Sequence, residues 1–131
     1  MSHMAVVNTK CTDLDILKEV LKDMGFEVIN SSGSVKAMDG KTTQVVAQVK
    51  NQSFGIRKDK DKDGASTYSL AGEFYRTDWY LKERQLAAHV NREYAFKKVI
   101  KENEAKGFRM KPGSLKIDPK TQTKVFIMQK M

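Results

Sequence analysis

At 131 residues, 40% of them hydrophobic, and with a formal net charge of +8, the chain has material for one hydrophobic core and is expected to form a single domain. No apolar run nears the roughly 18 residues of a membrane span and the opening MSHMAVVNTK lacks the apolar stretch of a secretory signal, so the expectation is a cytoplasmic protein without membrane association. The single cysteine, Cys11, excludes an intramolecular disulfide framework and a cysteine-cluster zinc site; we expect it to be a small filler beside a helix start.

The charge is unevenly distributed. Residues 1–75 hold ten Lys/Arg and ten Asp/Glu, whereas residues 76–131 hold fourteen and six. All the excess lies C-terminal, which favours an acidic partner: nucleic acid, an acidic protein or an anionic surface.

In chain order, His3 to Lys10 alternates polar and apolar and reads as a strand. Thr12-Asp13-Leu14-Asp15 has the spacing of a capping box, and Leu14, Leu17, Val20, Leu21 and Met24 recur at helical spacing before Gly25. Phe26 to Ile29 resumes as a short strand, giving a β-α-β opening whose crossover is right-handed if its strands are parallel. The stretch from Asn30 to Asp39-Gly40 has no clear period and ends in a turn signal. Thr42–Lys50, Ser53–Lys58 and Ser66–Tyr75 read as strands. A long helix is expected from Thr77-Asp78 to Lys106, stopped by Gly107, with Trp79, Leu86, Val90, Tyr94, Phe96 and Ile100 on its inner half. Phe108–Ile117 and Thr123–Lys130 read as two last strands, with Asp118-Pro119 opening the turn between them. The order β-α-β-β-β-β-α-β-β predicts an α+β fold, a mainly antiparallel sheet with two helices packed on one face.

Two motifs imitate known sites. Lys58-Asp59-Lys60-Asp61-Lys62-Asp63-Gly64 matches the first half of an EF-hand calcium loop, but the twelfth position from Asp59 is Leu70 where a bidentate glutamate is required, and strands rather than helices flank it. The expectation is a solvated hairpin tip. Gly40-Lys41-Thr42 imitates the end of a phosphate-binding P-loop, but the pattern needs glycine at Val35, and Thr42-Thr43-Gln44-Val45-Val46 favours a strand where a helix must open.

The order of several features resembles an uncharacterised family. They are Met1-Ser2-His3, the Leu14-Leu17 helix ending in Met24-Gly25-Phe26-Glu27-Val28, the step Gly40-Lys41-Thr42-Thr43, Tyr68 and Leu70 before an acidic residue, Tyr94-Ala95 and Gly107-Phe108. The chain resembles the proteins named after hypothetical chloroplast reading frame thirty-five, of cyanobacteria, red-algal plastids, some phages and other bacteria. Glu73 stands where that family leads one to expect aspartate, and Tyr75 where it leads one to expect tryptophan. The resemblance implies the fold class, no established activity, and a setting in a host cytoplasm or plastid stroma.

Catalysis requires converging titratable groups. His89 and Glu93, with Lys97, follow one another at four-residue spacing on the long helix, a polar margin to its apolar face. If the first strand is central, His3 at its start can meet Glu73 or His89 across the sheet; His3, Glu73, His89 and Glu93 form the one candidate polar site, and a proton-transfer (enzyme) or metal site around His3, Glu73 and His89 is the remote alternative. No complete nucleophile or metal motif accompanies them, so no cofactor and no catalysis are expected. For nucleic acid, Arg109, Lys111, Lys116, Lys120, Lys124 and Lys130 are interspersed with Phe108 and Phe126, which suit a stacking platform. The sequence therefore points first to a non-catalytic accessory protein that acts through a protein-binding surface, and second to RNA or DNA binding by the C-terminal part.

Overall fold

A computed structural model of the protein describes residues 4–74, 83–121 and 123–130. The chain divides into two compact units between Tyr94 and Ala95. His3, Tyr75, Trp79 and the expected start of the long helix lie outside the described residues.

The N-terminal unit begins with β1 (Ala5–Cys11) and α1 (Leu14–Asp23). The N-cap of α1 is Asp13, whose carboxylate accepts the Ile16 N–H at 3.2 Å; the expected box starting at Thr12 is one residue out of register. At the other end Gly25 has φ +93°, and the Gly25 and Phe26 N–H groups reach the Lys22 and Leu21 carbonyls at 3.0 Å each. That is a Schellman closure, which only a residue tolerant of positive φ permits. Ile16, Leu17, Val20 and Leu21 form the buried face of α1.

Five strands make the main sheet, in the order β1, β7 (Ser66–Gly72), β6 (Phe54–Lys60), β5 (Ala47–Val49), β2 (Val28–Ile29), and each neighbouring pair is antiparallel. β1 and β2 therefore run the same way but occupy opposite edges, with three strands between them. The expected β-α-β opening is no adjacent parallel pair, and the first strand is an edge strand. One face of the sheet carries Val7, Ala47, Val49, Phe54, Ile56 and Leu70, joined in a single core with α1 and with Leu86, Val90 and Tyr94 of α2 (Glu83–Ala105). Two helices on one face of an antiparallel sheet is the α+β arrangement expected. Phe54 sits at its centre, edge-on to Phe26 at 5.4 Å and tilted against Phe74 at 5.0 Å between ring centroids.

Where one strand was expected over Thr42–Lys50, there are two. β4 (Thr42–Val45) leaves the sheet to pair with β3 (Gly33–Lys36) as a separate hairpin, and β5 stays in it. Glycine at position 55 makes the divergence feasible: a Cβ there would lie 2.7 Å from the Ala47 carbonyl oxygen and 2.9 Å from Val45 Cγ1. The apolar residues Val45, Val46 and Ala47 follow one another without a break, so the pattern alone does not reveal the bend.

The C-terminal unit comprises the second half of α2 and a two-stranded ribbon. α2 stops as expected, with Gly107 at φ +87° and its N–H on the Glu104 carbonyl. The ribbon is built of β8 (Phe108–Met110) paired with β11 (Met128–Lys130), and β9 (Lys116–Ile117) paired with β10 (Lys124–Val125). The expected unbroken strand Phe108–Ile117 is interrupted because Pro112 and Gly113 (φ +75°) form a tight turn, closed by the Ser114 N–H on the Lys111 carbonyl at 3.1 Å. Pro at the second turn position and a positive-φ Gly at the third define a type II turn.

Candidate functional site

The ribbon concentrates both the charge and the exposed apolar surface. Residues 95–131 hold ten Lys/Arg and three Asp/Glu, an excess of seven out of the chain's +8. One face of the ribbon packs on α2: the Phe126 ring stands edge-on to Phe96 at 5.3 Å, and the Lys124 ammonium lies 4.1 Å above the Phe96 ring. Cation–π and aromatic contacts of this kind fix the ribbon's orientation on its own helix. Because side chains alternate along a strand, Val125 and Ile127 point the other way. They are 64% and 56% exposed; Ile117, 49% exposed, pairs with Lys124 and so lies on the other face.

The expected nucleic-acid residues are split by this geometry. Arg109 pairs across from Gln129 and Lys116 from Val125, so both share the exposed face with Val125 and Ile127. Lys111, exposed, donates its N–H to the Ile127 carbonyl at 2.7 Å. Lys120 stands in the turn whose backbone is held by the Asp118 carboxylate, at 2.8 Å from the Lys120 N–H. Lys124 turns to the α2 face. Of the two aromatics expected to stack on bases, Phe126 is engaged with Phe96 and Phe108 is half-buried. Exposed aliphatic side chains on the ribbon went unforeseen. The signal was the run Lys124-Val125-Phe126-Ile127-Met128, apolar on both parities in a ribbon with one helix to cover one face.

Of the polar candidates, Glu73 follows β7, whereas His89 and Glu93 lie on α2. Glu73 is 4% exposed, and its carboxylate accepts the backbone N–H of Met38, in the turn between β3 and β4. His89 is half-buried on α2, with its Nδ1 3.5 Å from Arg92 Nη2. Glu93 is half-buried one turn on. Among the described residues no bond joins Glu73 to His89, and His3 lies outside them. Chemically, Glu73 here anchors the β3–β4 turn; buried carboxylates require such donors.

The acidic tip takes the form of a hairpin. Asp61 Oδ1 accepts the N–H groups of Asp63 and Ala65, each at 2.9 Å, and Gly64 turns at φ +80°. Asp59 instead pairs with Arg57 at 3.0 Å and accepts the Ser69 hydroxyl at 3.3 Å. The carboxylates organise the turn and do not converge; among the described residues no group of three or more His, Cys, Asp or Glu is placed to hold a metal. Nor is any helix of the described residues long and apolar enough to cross a membrane.

Comparison with curated proteins and with solved structures gives no match. A family model described as a protein of unknown function, DUF1257, matches residues 20–122. With well over half of its length matched, the chain belongs to that family.

Proposed function

We propose that the protein is a non-catalytic accessory protein whose C-terminal ribbon docks an acidic protein partner. The observation that carries this is the exposure of Val125 and Ile127 on a face shared with Arg109 and Lys116. Covering aliphatic side chains contributes affinity, at roughly 25 cal/mol per Å² of apolar surface removed from water. The surrounding charge adds encounter rate and selectivity for acidic surfaces. The resemblance to a plastid and cyanobacterial family supports a cytoplasmic or stromal setting, away from membranes.

RNA or DNA binding by the same basic residues is the alternative, favoured by the excess of seven positive charges in this unit. Phosphate contacts would carry it, because Phe126 is occupied by Phe96. The test is capture from nuclease-treated extract of the source cells by wild type and by Val125→Asp/Ile127→Asp. The proposal expects a protein retained after nuclease treatment and lost with the double variant. Retention by the double variant, or micromolar binding of labelled RNA or DNA oligomers that falls steeply with salt and weakens in Arg109→Gln/Lys111→Gln, would favour the alternative.

A further inference from the structure

The ribbon has an outer edge as well as a face, and its hydrogen-bonding direction follows from the register. Met110 pairs with Met128, and the Lys111 N–H reaches the Ile127 carbonyl. In an antiparallel ladder, bonded and non-bonded pairs alternate; Met110–Met128 is thus a non-bonded pair, and the N–H and C=O of Met128 point away from β8. Further along, Ile117 pairs with Lys124 while the Asp118 N–H reaches the Thr123 carbonyl at 2.9 Å. By the same rule the backbone of Lys124 points outward. The intervening Phe126 and the terminal Lys130 follow at period two, so four consecutive outward positions line one edge.

That edge is unusually regular. Between the two ladders β8 and β9 are separated by residues 111–115, which bulge around Pro112-Gly113, whereas β10 and β11 are separated only by Phe126 and Ile127. The irregularity all falls on the β8–β9 strand. Residues 124–130, KVFIMQK, contain no Pro or Gly. Natural edge strands are usually blunted by bulges, prolines or inward charges. Here only a lysine at each end limits pairing.

We propose that this edge receives an extended segment of the partner as a third strand of the ribbon, an inference that rests on the ribbon being the docking surface. The segment's chemistry follows from its neighbours. Side chains across from Val125 and Ile127 lie on the exposed face and are aliphatic, two residues apart. Side chains across from Lys124 and Lys130, at the ends and on the other face, are acidic. A second copy of the chain fits poorly, because each ribbon would bring its own excess of positive charge.

Selection of random displayed peptides of about eight residues, a strand's length, on the full chain supplies the probe. The enriched peptide is resynthesised with and without N-methyl groups on alternate backbone amides. Strand addition predicts an aliphatic pair at i and i+2 flanked by Asp or Glu, at least about tenfold weaker binding after N-methylation in one of the two registers, and slowed exchange of the Met128 and Lys130 amides. Binding that is lost in Val125→Asp but indifferent to N-methylation in both registers, with those amides unprotected, overturns strand addition and leaves docking on the ribbon face standing. Binding of anionic vesicles or RNA oligomers with no ribbon-dependent peptide overturns both.

Discussion

Replacing Tyr94 by Phe removes one oxygen from the core of the N-terminal unit and tests how α2 holds the start of α1. The Tyr94 hydroxyl accepts the N–H groups of Thr12 at 3.0 Å and Asp13 at 2.8 Å. These donors precede α1, where helix geometry leaves N–H groups without intrahelical partners. The ring itself is buried and survives the substitution, so hydrophobic burial is nearly unchanged. A buried donor left unsatisfied costs about 1–3 kcal/mol. Thr12 is exposed and water replaces its partner, whereas Asp13 is half-buried; the expected loss is therefore about 1–2 kcal/mol. Urea denaturation followed by circular dichroism measures it. Asp13→Ala removes the cap on Ile16 and should cost about 1 kcal/mol alone. Because both changes act on one turn, the double variant should depart from additivity by about 0.5 kcal/mol or more. A loss below about 0.3 kcal/mol for Tyr94→Phe, or strict additivity, would refute the idea that this hydroxyl secures the helix start.

Further outcomes follow from the same packing. Leu21→Ala and Val90→Ala, both at fully buried positions, should each lower unfolding free energy by about 1.5–4 kcal/mol, while Lys60→Ala in the hairpin arm should stay within about 0.5 kcal/mol in the same melts. Gly72 has φ +144°, and a Cβ there would collide with the Ser53 carbonyl oxygen and lie 2.5 Å from Phe54 Cα; Gly72→Ala should cost about 3 kcal/mol or more, seen as loss of soluble, cooperatively melting protein. Calcium calorimetry at low salt should show no site tighter than about 1 mM, since Asp59 and Asp61 are committed to Arg57 and to the turn; a saturable micromolar isotherm abolished by Asp61→Ala would contradict that.

The parts of the fold set by local chemistry were legible in the residues. Leu14 to Met24 followed by Gly25, the hairpin around Asp61 to Gly64, and the stop at Gly107 each combine a period with a glycine at positive φ. Strand order was not, because nothing local tells β1 that it pairs with β7, sixty residues on, and not with β2. The β3–β4 hairpin is hidden for a related reason: Gly33–Lys36 alternates weakly, and β4 runs without a break into the apolar residues Val45, Val46 and Ala47. In the ribbon, Pro112-Gly113 places a tight turn inside the span Phe108–Ile117 that was expected as one strand. The candidate site was legible only as charge. Which of the basic residues share a face, and that Val125 and Ile127 join them, depends on the Lys116–Val125 register and on Phe126 turning to Phe96.

The most direct test of the docking surface places a photo-activated cross-linking side chain at Ile127, and in a control at Lys60, in the protein expressed in its source cells. Irradiation should give a discrete protein adduct from position 127 that is absent from position 60 and disappears when Val125→Asp is added. Adducts to nucleic acid alone from position 127, or the same protein adducts from both positions, would contradict the assignment of the ribbon as a protein-binding surface.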